Sequence, residues 1–313
     1  MTAAKAAPRI SVFPKCYFDE LCRGEMDYTA WIRSAPALGG EGLEHYDGFF
    51  RRFDAAGVDP VLEAMAATGQ ISSMLCFSPD FTHADPVERR RQVERQQEAI
   101  DLAVRLGTRF CRTLSGQHTP GLSRQDGIDR TVDGLLRSLE YAEKRDVVLC
   151  LENHYKDGTW LYPEFAQPED IFLEILDRVS SPRLGVQYDP SNAVVGGYDP
   201  VAFLERVLPR VVTMHASDRA LAPGATLDDL RASDGKTGYS TKLLHGEVGR
   251  GLIDYDAIFA ILARGGYAGW ISVEDGINGL DELRRSVEFL KRKRQECFHS
   301  KDSKVSKAVE GAP

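Results

Sequence analysis

The 313-residue sequence lacks several patterns that would each have indicated a particular class of protein. The first apolar segment runs into Phe13-Pro14-Lys15-Cys16 and not into a G-x-G-x-x-G turn, which disfavours a dinucleotide-binding sheet. The net charge of -8 gives no basic face for nucleic acid. There is no apolar run of about 18 residues, and Met1 to Arg9 contains no apolar leader segment. We therefore expect a protein that binds neither nucleic acid nor membrane and is not secreted.

Cysteine is scarce and is not arranged in C-x-x-C pairs. Three of the six cysteines, Cys76, Cys111 and Cys150, lie within apolar runs. Buried thiols without a pairing pattern are typical of a reducing compartment, which predicts a cytoplasmic location.

What the sequence does contain is a regular alternation of short apolar segments and amphipathic segments. The alternation predicts eight strand-helix units and hence an α/β fold, a (β/α)8 TIM barrel with an inserted loop after strand 7. We predict one barrel domain over residues 1–295 and a disordered tail over 296–313. The predicted strands are 10–13, 42–46, 71–77, 109–114, 147–152, 184–189, 211–215 and 270–274.

Four of these strands end at a carboxylate or an imidazole: Glu152, Asp189, His215 and Glu274. Parallel strands of a barrel place their carboxyl ends at one rim, so the four side chains should lie close together. Three carboxylates at one rim would repel one another unless a cation lay between them. Oxygen and imidazole ligands suit Mn²⁺ best, with Co²⁺ or Mg²⁺ as alternatives. The competing interpretation is that each residue only caps the loop after its strand.

Further polar residues follow the same strands. Two histidines, His154 and His245, are candidate catalytic residues because imidazole titrates near neutral pH. Each has a structural alternative, such as capping a loop. We assign substrate binding to Asn192, Asp218, Arg219 and His118, although a histidine after a strand is often only a loop residue. The insertion over 219–250, which also carries Asp234, Lys236 and Tyr239, is interpreted as a lid or a partner surface.

The motifs around these positions resemble a known family, the xylose isomerase-like TIM barrels. The matching segments are Leu-Glu-Asn-His at 151–154, Tyr-Asp-Pro-Ser-Asn at 188–192, His-Ala-Ser-Asp at 215–218, Gly-Glu-Val-Gly-Arg-Gly-Leu-Ile-Asp at 246–254 and Gly-Tyr-Ala-Gly-Trp-Ile-Ser-Val-Glu at 266–274. The family includes sugar isomerases, 3-epimerases, hydroxypyruvate isomerase, inosose dehydratase and endonuclease IV. The resemblance implies that Glu152, Asp189, His215 and Glu274 hold the metal. In the epimerase branch, the two matching glutamates also exchange protons with the sugar carbon.

Three functions are compatible with this resemblance. The first is an isomerase or epimerase of a keto-sugar, and the second is a lyase that uses the same enolate to expel water or an aglycone. The sequence is also similar to the metal-bearing subunit of C-glycoside deglycosidases, which would add a small second subunit to an otherwise expected homo-oligomer. The third is a non-catalytic sugar-binding barrel, which the intact ligand set disfavours. An abasic-site nuclease does not fit the acidic chain.

Overall fold

The computed structural model describes residues 7–226, 228–229 and 242–298. Eight parallel strands form a closed barrel, which confirms the predicted fold. The barrel strands are β1 (Arg9–Val12), β2 (Gly42–Tyr46), β3 (Ser72–Cys76), β4 (Phe110–Thr113), β5 (Val148–Glu152), β6 (Leu184–Tyr188), β7 (Val211–Ala216) and β10 (Trp270–Val273), and a separate antiparallel pair is formed by β8 (Arg219–Leu221) and β9 (Leu243–His245).

Helices surround the barrel and follow the strands along the chain. They are α1 (Phe18–Arg23), α2 (Tyr28–Ser34), α3 (Ala55–Thr68), α4 (Pro86–Arg105), α5 (Arg124–Lys144), α6 (Glu169–Arg178), α7 (Pro190–Gly196), α8 (Pro200–Val207), α9 (Tyr255–Gly265) and α10 (Leu280–Phe298). Short polar residues fix several of their starts. Asp85 accepts a hydrogen bond from the Val87 amide, and Ser123 accepts one from the Asp126 amide.

Closure of the barrel depends on the pairing of the first strand with the last. Ile10 of β1 lies opposite Ile271 of β10, and both side chains are fully buried. Next to β10 in the ring, β7 approaches β6 so closely that a Cβ at Gly185 would lie 2.4 Å from Val212 Cγ2. Ile10 and Ile271 belong to the hydrophobic core, whereas Glu44, Arg112 and Thr213 are buried polar residues within the strands.

The insertion after β7 is described only in part. Arg219 pairs with His245 across the β8–β9 hairpin. Asp234, Lys236 and Tyr239 lie outside the described residues, and the lid or partner role stays a prediction. At the end of the chain, α10 continues to Phe298, three residues beyond the boundary at 295 that the sequence predicted. Within the described ranges, no helix has the length and hydropathy needed to span a membrane.

Candidate metal and substrate site

The predicted ligands meet at the carboxyl rim of the barrel. Glu152 is the last residue of β5, His215 lies near the end of β7, and Asp189 and Glu274 directly follow β6 and β10. One ligand atom from each lies within 4.8 Å of the others. Four neighbouring strands thus bring together three carboxylates and one imidazole, which is a ligand set for a divalent cation.

Asp189 shows most directly that this group fits a metal. Its Oδ1 accepts hydrogen bonds from the Ser191 amide at 2.7 Å, the Asn192 amide at 3.1 Å and the Ser217 hydroxyl at 2.7 Å. Its Oδ2 is buried and has no hydrogen-bond partner among the described residues. Burial, together with Glu152 and Glu274, raises the pKa of Asp189. A cation at the centre of the cluster would satisfy the buried oxygen and relieve this repulsion.

His215 is held in position by both sides of its ring. Nδ1 lies 3.1 Å from Glu152 Oε1 and 3.2 Å from Glu274 Oε2, whereas Nε2 lies 2.7 Å from Glu44 Oε1. Burial by itself would lower the pKa of His215, but the carboxylates of Glu44, Glu274 and Glu152 raise it well above the usual range. In the neutral form that a metal ligand requires, Nε2–H would donate to Glu44 and the Nδ1 lone pair would be directed at the cluster.

Two basic residues that the sequence did not single out neutralise the glutamates. Arg112 of β4 donates to Glu152 Oε2 at 3.0 Å, and Lys15 donates to Glu274 Oε1 at 3.0 Å. Burial opposes ionisation of Glu152, but His215, His154 and Arg112 lower its pKa. For Glu274, Lys15 and His215 outweigh burial and hold the pKa well below the usual value. The sequence did contain a signal for Arg112, since it is a charged residue in the middle of a predicted strand.

His154 lies on the buried side of the loop after β5. Its Nδ1 is 3.4 Å from Oε2 of the fully buried Glu164. Glu164 is itself fixed, because its Oε1 accepts hydrogen bonds from the Ser115 amide at 2.8 Å and the Ser115 hydroxyl at 2.9 Å. Burial would lower the pKa of His154, but Glu152 and Glu164 raise it. The loop thus places His154 where the charge of Glu152, a candidate ligand, acts on it.

His245, at the end of β9, contacts two other polar side chains, Arg219 of β8 and Asp275 after β10. Its Nδ1 lies 3.0 Å from Asp275 Oδ1, and its Nε2 lies 2.5 Å from Arg219 Nη1. Arginine can only donate, so Nε2 accepts and Nδ1–H donates to Asp275, which describes a neutral imidazole. Burial and the nearby Arg219 and Lys15 lower the pKa of His245 to about 2.

The remaining predicted substrate residues occupy different surroundings. Asn192 Nδ2 lies 3.4 Å from Glu152 Oε1, next to the ligands. The Asp218 carboxylate accepts from the backbone amides of Gly249, Gly251 and Ile253. The His118 ring packs edge-on against Phe165 at a centroid distance of 5.7 Å, and its amide donates to the Pro163 carbonyl. These contacts favour a structural role for Asp218 and His118.

Comparison with known families agrees with this architecture. Residues 32–293 match the family described as the xylose isomerase-like TIM barrel. The chain belongs to this family. A D-tagatose 3-epimerase-like protein superposes with a TM-score of 0.72 at 18% identity, over 93% of this chain and 98% of that one. A probable 3-DHS dehydratase from Bacillus anthracis gives a TM-score of 0.70 at 18% identity, over 90% and 98% of the two chains. At these identities the likeness shows the fold.

Two curated relatives are similar in sequence. The 3-oxo-isoapionate decarboxylase of Pectobacterium atrosepticum is 28% identical over 69% of this chain and 78% of its own length. The inosose dehydratase of Geobacillus kaustophilus is 33% identical over 46% of this chain and 44% of its own length. The chain thus spans less than half of the second relative. The names of these relatives are those of enzymes that act on sugars or related compounds, which supports an enzyme of that class.

Proposed function

We propose that the protein is a divalent-metal-dependent enzyme that removes a proton from the carbon beside the carbonyl of a keto-sugar, as a sugar isomerase or 3-epimerase does. The observation that carries the proposal is the unpartnered, buried Asp189 Oδ2 within the group of four converging ligand atoms. Glu152, Asp189, His215 and Glu274 would hold the metal, with Mn²⁺ as the preferred ion and Co²⁺ or Mg²⁺ as alternatives.

The bound cation would supply electrostatic stabilisation of negative charge on the substrate carbonyl oxygen. The protein itself supplies the bases. His215, His154 and Arg112 keep Glu152 ionised, and Lys15 and His215 keep Glu274 ionised, so that each carboxylate is able to accept a proton. Two glutamates at one site allow removal of a proton on one face of the carbon and its return on the other. Asn192 supports the position of Glu152 through the contact at 3.4 Å.

Deuterium exchange tests this proposal. Purified protein is stripped of metal, reloaded with Mn²⁺ and incubated with keto-sugars in D₂O, and carbon-bound deuterium is measured by NMR. We expect exchange only in the loaded protein, and a loss of at least about 100-fold in Glu152→Gln, the usual scale for removing a general base. Glu63→Gln, on the exposed face of α3, is the matched control. Near-wild-type exchange in Glu152→Gln with metal bound would contradict the proposal.

The second candidate is a lyase that expels water or an aglycone from the same enolate. It is favoured by an imidazole outside the ligand set, His154 beside Glu164. His245 is neutral between Arg219 and Asp275 and has no proton for a leaving group. An elimination needs a group that protonates the departing oxygen, whereas a two-glutamate epimerase does not. In a lyase, His154→Ala should abolish turnover while metal content stays intact, whereas His245→Ala should leave the proton-donating step in place. In an epimerase, the same changes should act mainly on KM.

The environment and assembly of the protein are also proposals. All six cysteines are free thiols, which supports a reducing, cytoplasmic location. We infer a homo-oligomer for an isomerase, and a complex with a small second subunit for a deglycosidase. Size-exclusion chromatography with light scattering distinguishes these assemblies.

A further inference from the structure

A cavity of about 640 Å³ lies at the same rim as the candidate metal site, beside the ends of β2 and β3. Its walls include Tyr46, the last residue of β2, Phe77, which follows β3, and Trp160 from the loop after β5. Cavities of roughly 300–1,000 Å³ suit ligands of drug size. The volume therefore exceeds what the reacting carbonyl and its neighbouring carbons require.

One side chain links this cavity to the candidate ligands. Arg112 donates to Glu152 Oε2 at 3.0 Å and to Ser78 Oγ at 2.8 Å, and Ser78 lines the cavity. Ser78 also donates to Asp157 Oδ2 at 2.6 Å. Asp157 in turn accepts from the Thr159 amide and hydroxyl, which fixes the turn that carries Trp160. The cavity wall and a candidate metal ligand are thus held by the same guanidinium group.

The charges around the cavity disfavour an anionic occupant. Its lining includes the carboxylates Asp47, Asp80, Asp85 and Glu88, whereas its basic side chains are Arg95 and His83. Arg95 is already engaged, because it lies over the Phe77 ring at 5.3 Å and 3.9 Å from Asp47. A phosphate or carboxylate ligand would meet a surplus of negative charge. An uncharged ring would find aromatic surfaces for its faces and acceptors for its hydroxyls.

We propose that this cavity is a subsite for an uncharged, hydroxyl-bearing ring attached to the keto-sugar, so that the substrate is a glycoside and not a free monosaccharide. The proposal rests on the proposed function, since it needs the metal site beside it to process the keto-sugar. Both a phenolic aglycone and a second sugar residue have this chemistry, and the experiment separates them.

The test compares deuterium exchange or aglycone release for four probes: free 3-oxo-glucose, its methyl glycoside, its 4-hydroxyphenyl glycoside (called the phenyl glycoside below) and a 3-oxo-disaccharide. We expect a kcat/KM at least about 10-fold higher for the phenyl glycoside or the disaccharide than for the methyl glycoside, the scale of about 1.4 kcal/mol of added contact. The preferred probe identifies the ring as phenolic or as a sugar. Equal kcat/KM for the methyl, phenyl and disaccharide probes would overturn the subsite but leave the proposed function intact. Absence of metal-dependent turnover with all four would overturn both.

Variants of Trp160 test whether the preference for the phenyl glycoside or the disaccharide arises in this cavity. Trp160→Ala should reduce the phenyl-to-methyl or disaccharide-to-methyl ratio to within about 2-fold of one, because it removes the aromatic wall. Trp160→Phe retains a ring and should keep an intermediate ratio, which also covers the case in which the alanine variant does not fold. Leu161→Ala, at a neighbouring side chain that is 61% exposed, should match wild type. A ratio that is unchanged in either Trp160 variant would place the ring elsewhere and overturn the assignment.

Discussion

At the scale of single residues, the candidate metal site includes contacts with groups outside the four predicted ligands. Glu44 lies 171 positions before His215 in the chain, yet its carboxylate meets the His215 Nε2 at 2.7 Å. Cys76 contacts the same carboxylate at 3.2 Å. This buried contact fixes which imidazole nitrogen faces the other ligands.

Glu44→Gln is therefore expected to weaken Mn²⁺ binding by about 10- to 100-fold without removing a ligand. The amide keeps the shape of the side chain but loses the charge that holds the His215 tautomer. Isothermal titration of the metal-free protein measures the effect. Glu41→Gln is the control and should bind Mn²⁺ as wild type does. Glu41 is a half-buried carboxylate that accepts a hydrogen bond from the Ile10 amide. Unchanged affinity in Glu44→Gln would show that His215 needs no such partner.

Asp47 gives a residue-scale prediction about pH. Burial raises its pKa from 3.8 to about 6, although the nearby Arg95 opposes the shift. The folded protein thus holds this proton more tightly than the unfolded chain, so the contribution to stability is full below about pH 4 and is lost as pH rises through about 6.

Asp47→Asn should remove this dependence. The free energy of unfolding of wild type should fall relative to that of Asp47→Asn as the pH rises from about 4 to 7. The difference between the two proteins should change by up to about 3 kcal/mol, which is the equivalent of the shift in pKa. Urea unfolding at both pH values measures the difference. Asp59→Asn, at an exposed carboxylate, should follow the wild-type profile. Parallel profiles for Asp47→Asn and wild type would contradict the expectation.

The sequence predicted the four candidate ligands because each one ends an apolar strand, a local pattern that needs no knowledge of distant contacts. It did not predict Glu44, Arg112 or Glu164. Glu44 and Arg112 lie within strands, and Glu164 acts through contacts with segments far away in sequence. Their roles depend on which strands become neighbours in the closed ring, and no local pattern contains that information.

At the scale of elements, the alternation of strands and helices was sufficient to predict the barrel, and β2 begins and ends where predicted. The short helices α1, α2 and α7 were not predicted. The helix α7 begins at Pro190, directly after Asp189, whose side chain caps it. Asp189 therefore has two roles, because one oxygen caps the helix and the other lies in the ligand cluster. The sequence pattern indicated only the second role.

The segment after the β8–β9 hairpin provides the element-scale prediction. Asp218 accepts backbone hydrogen bonds from Gly249 at 2.9 Å, Gly251 at 3.0 Å and Ile253 at 3.2 Å. Asp218→Ala would leave these amides without their acceptor, at a cost of about 2–4 kcal/mol in the free energy of unfolding. Asp218→Asn, which keeps one acceptor oxygen, should lose less. Denaturant unfolding of both variants tests this, and wild-type stability in Asp218→Ala would argue for a role in substrate binding instead.

At the scale of the whole molecule, the metal should act as a reporter of the folded state. A cation that binds only the folded protein adds about 2.7 kcal/mol at a concentration 100 times its Kd. We expect Mn²⁺ to raise Tm by several degrees after removal of metal with a chelator. Asp189→Asn, which alters the buried oxygen, should show a much smaller increase. Equal increases in both proteins would place the stabilising ion outside this cluster.

The strands that carry the candidate ligands, β5, β6, β7 and β10, are neighbours in the ring and all belong to the later part of the chain. The segments that follow β2, β3 and β4 instead contribute most of the cavity wall, including Asp47, Phe77 and Gln117, and Trp160 comes from the loop after β5. The candidate ligands and most of the cavity wall thus come from different halves of one polypeptide, although Glu44 and Arg112 of the first half contact the ligands. A hybrid that joined β1–β4 of a relative to β5–β10 of this chain should exchange most of the cavity wall. It should keep its affinity for metal only where the relative supplies a carboxylate and a guanidinium group at the positions of Glu44 and Arg112.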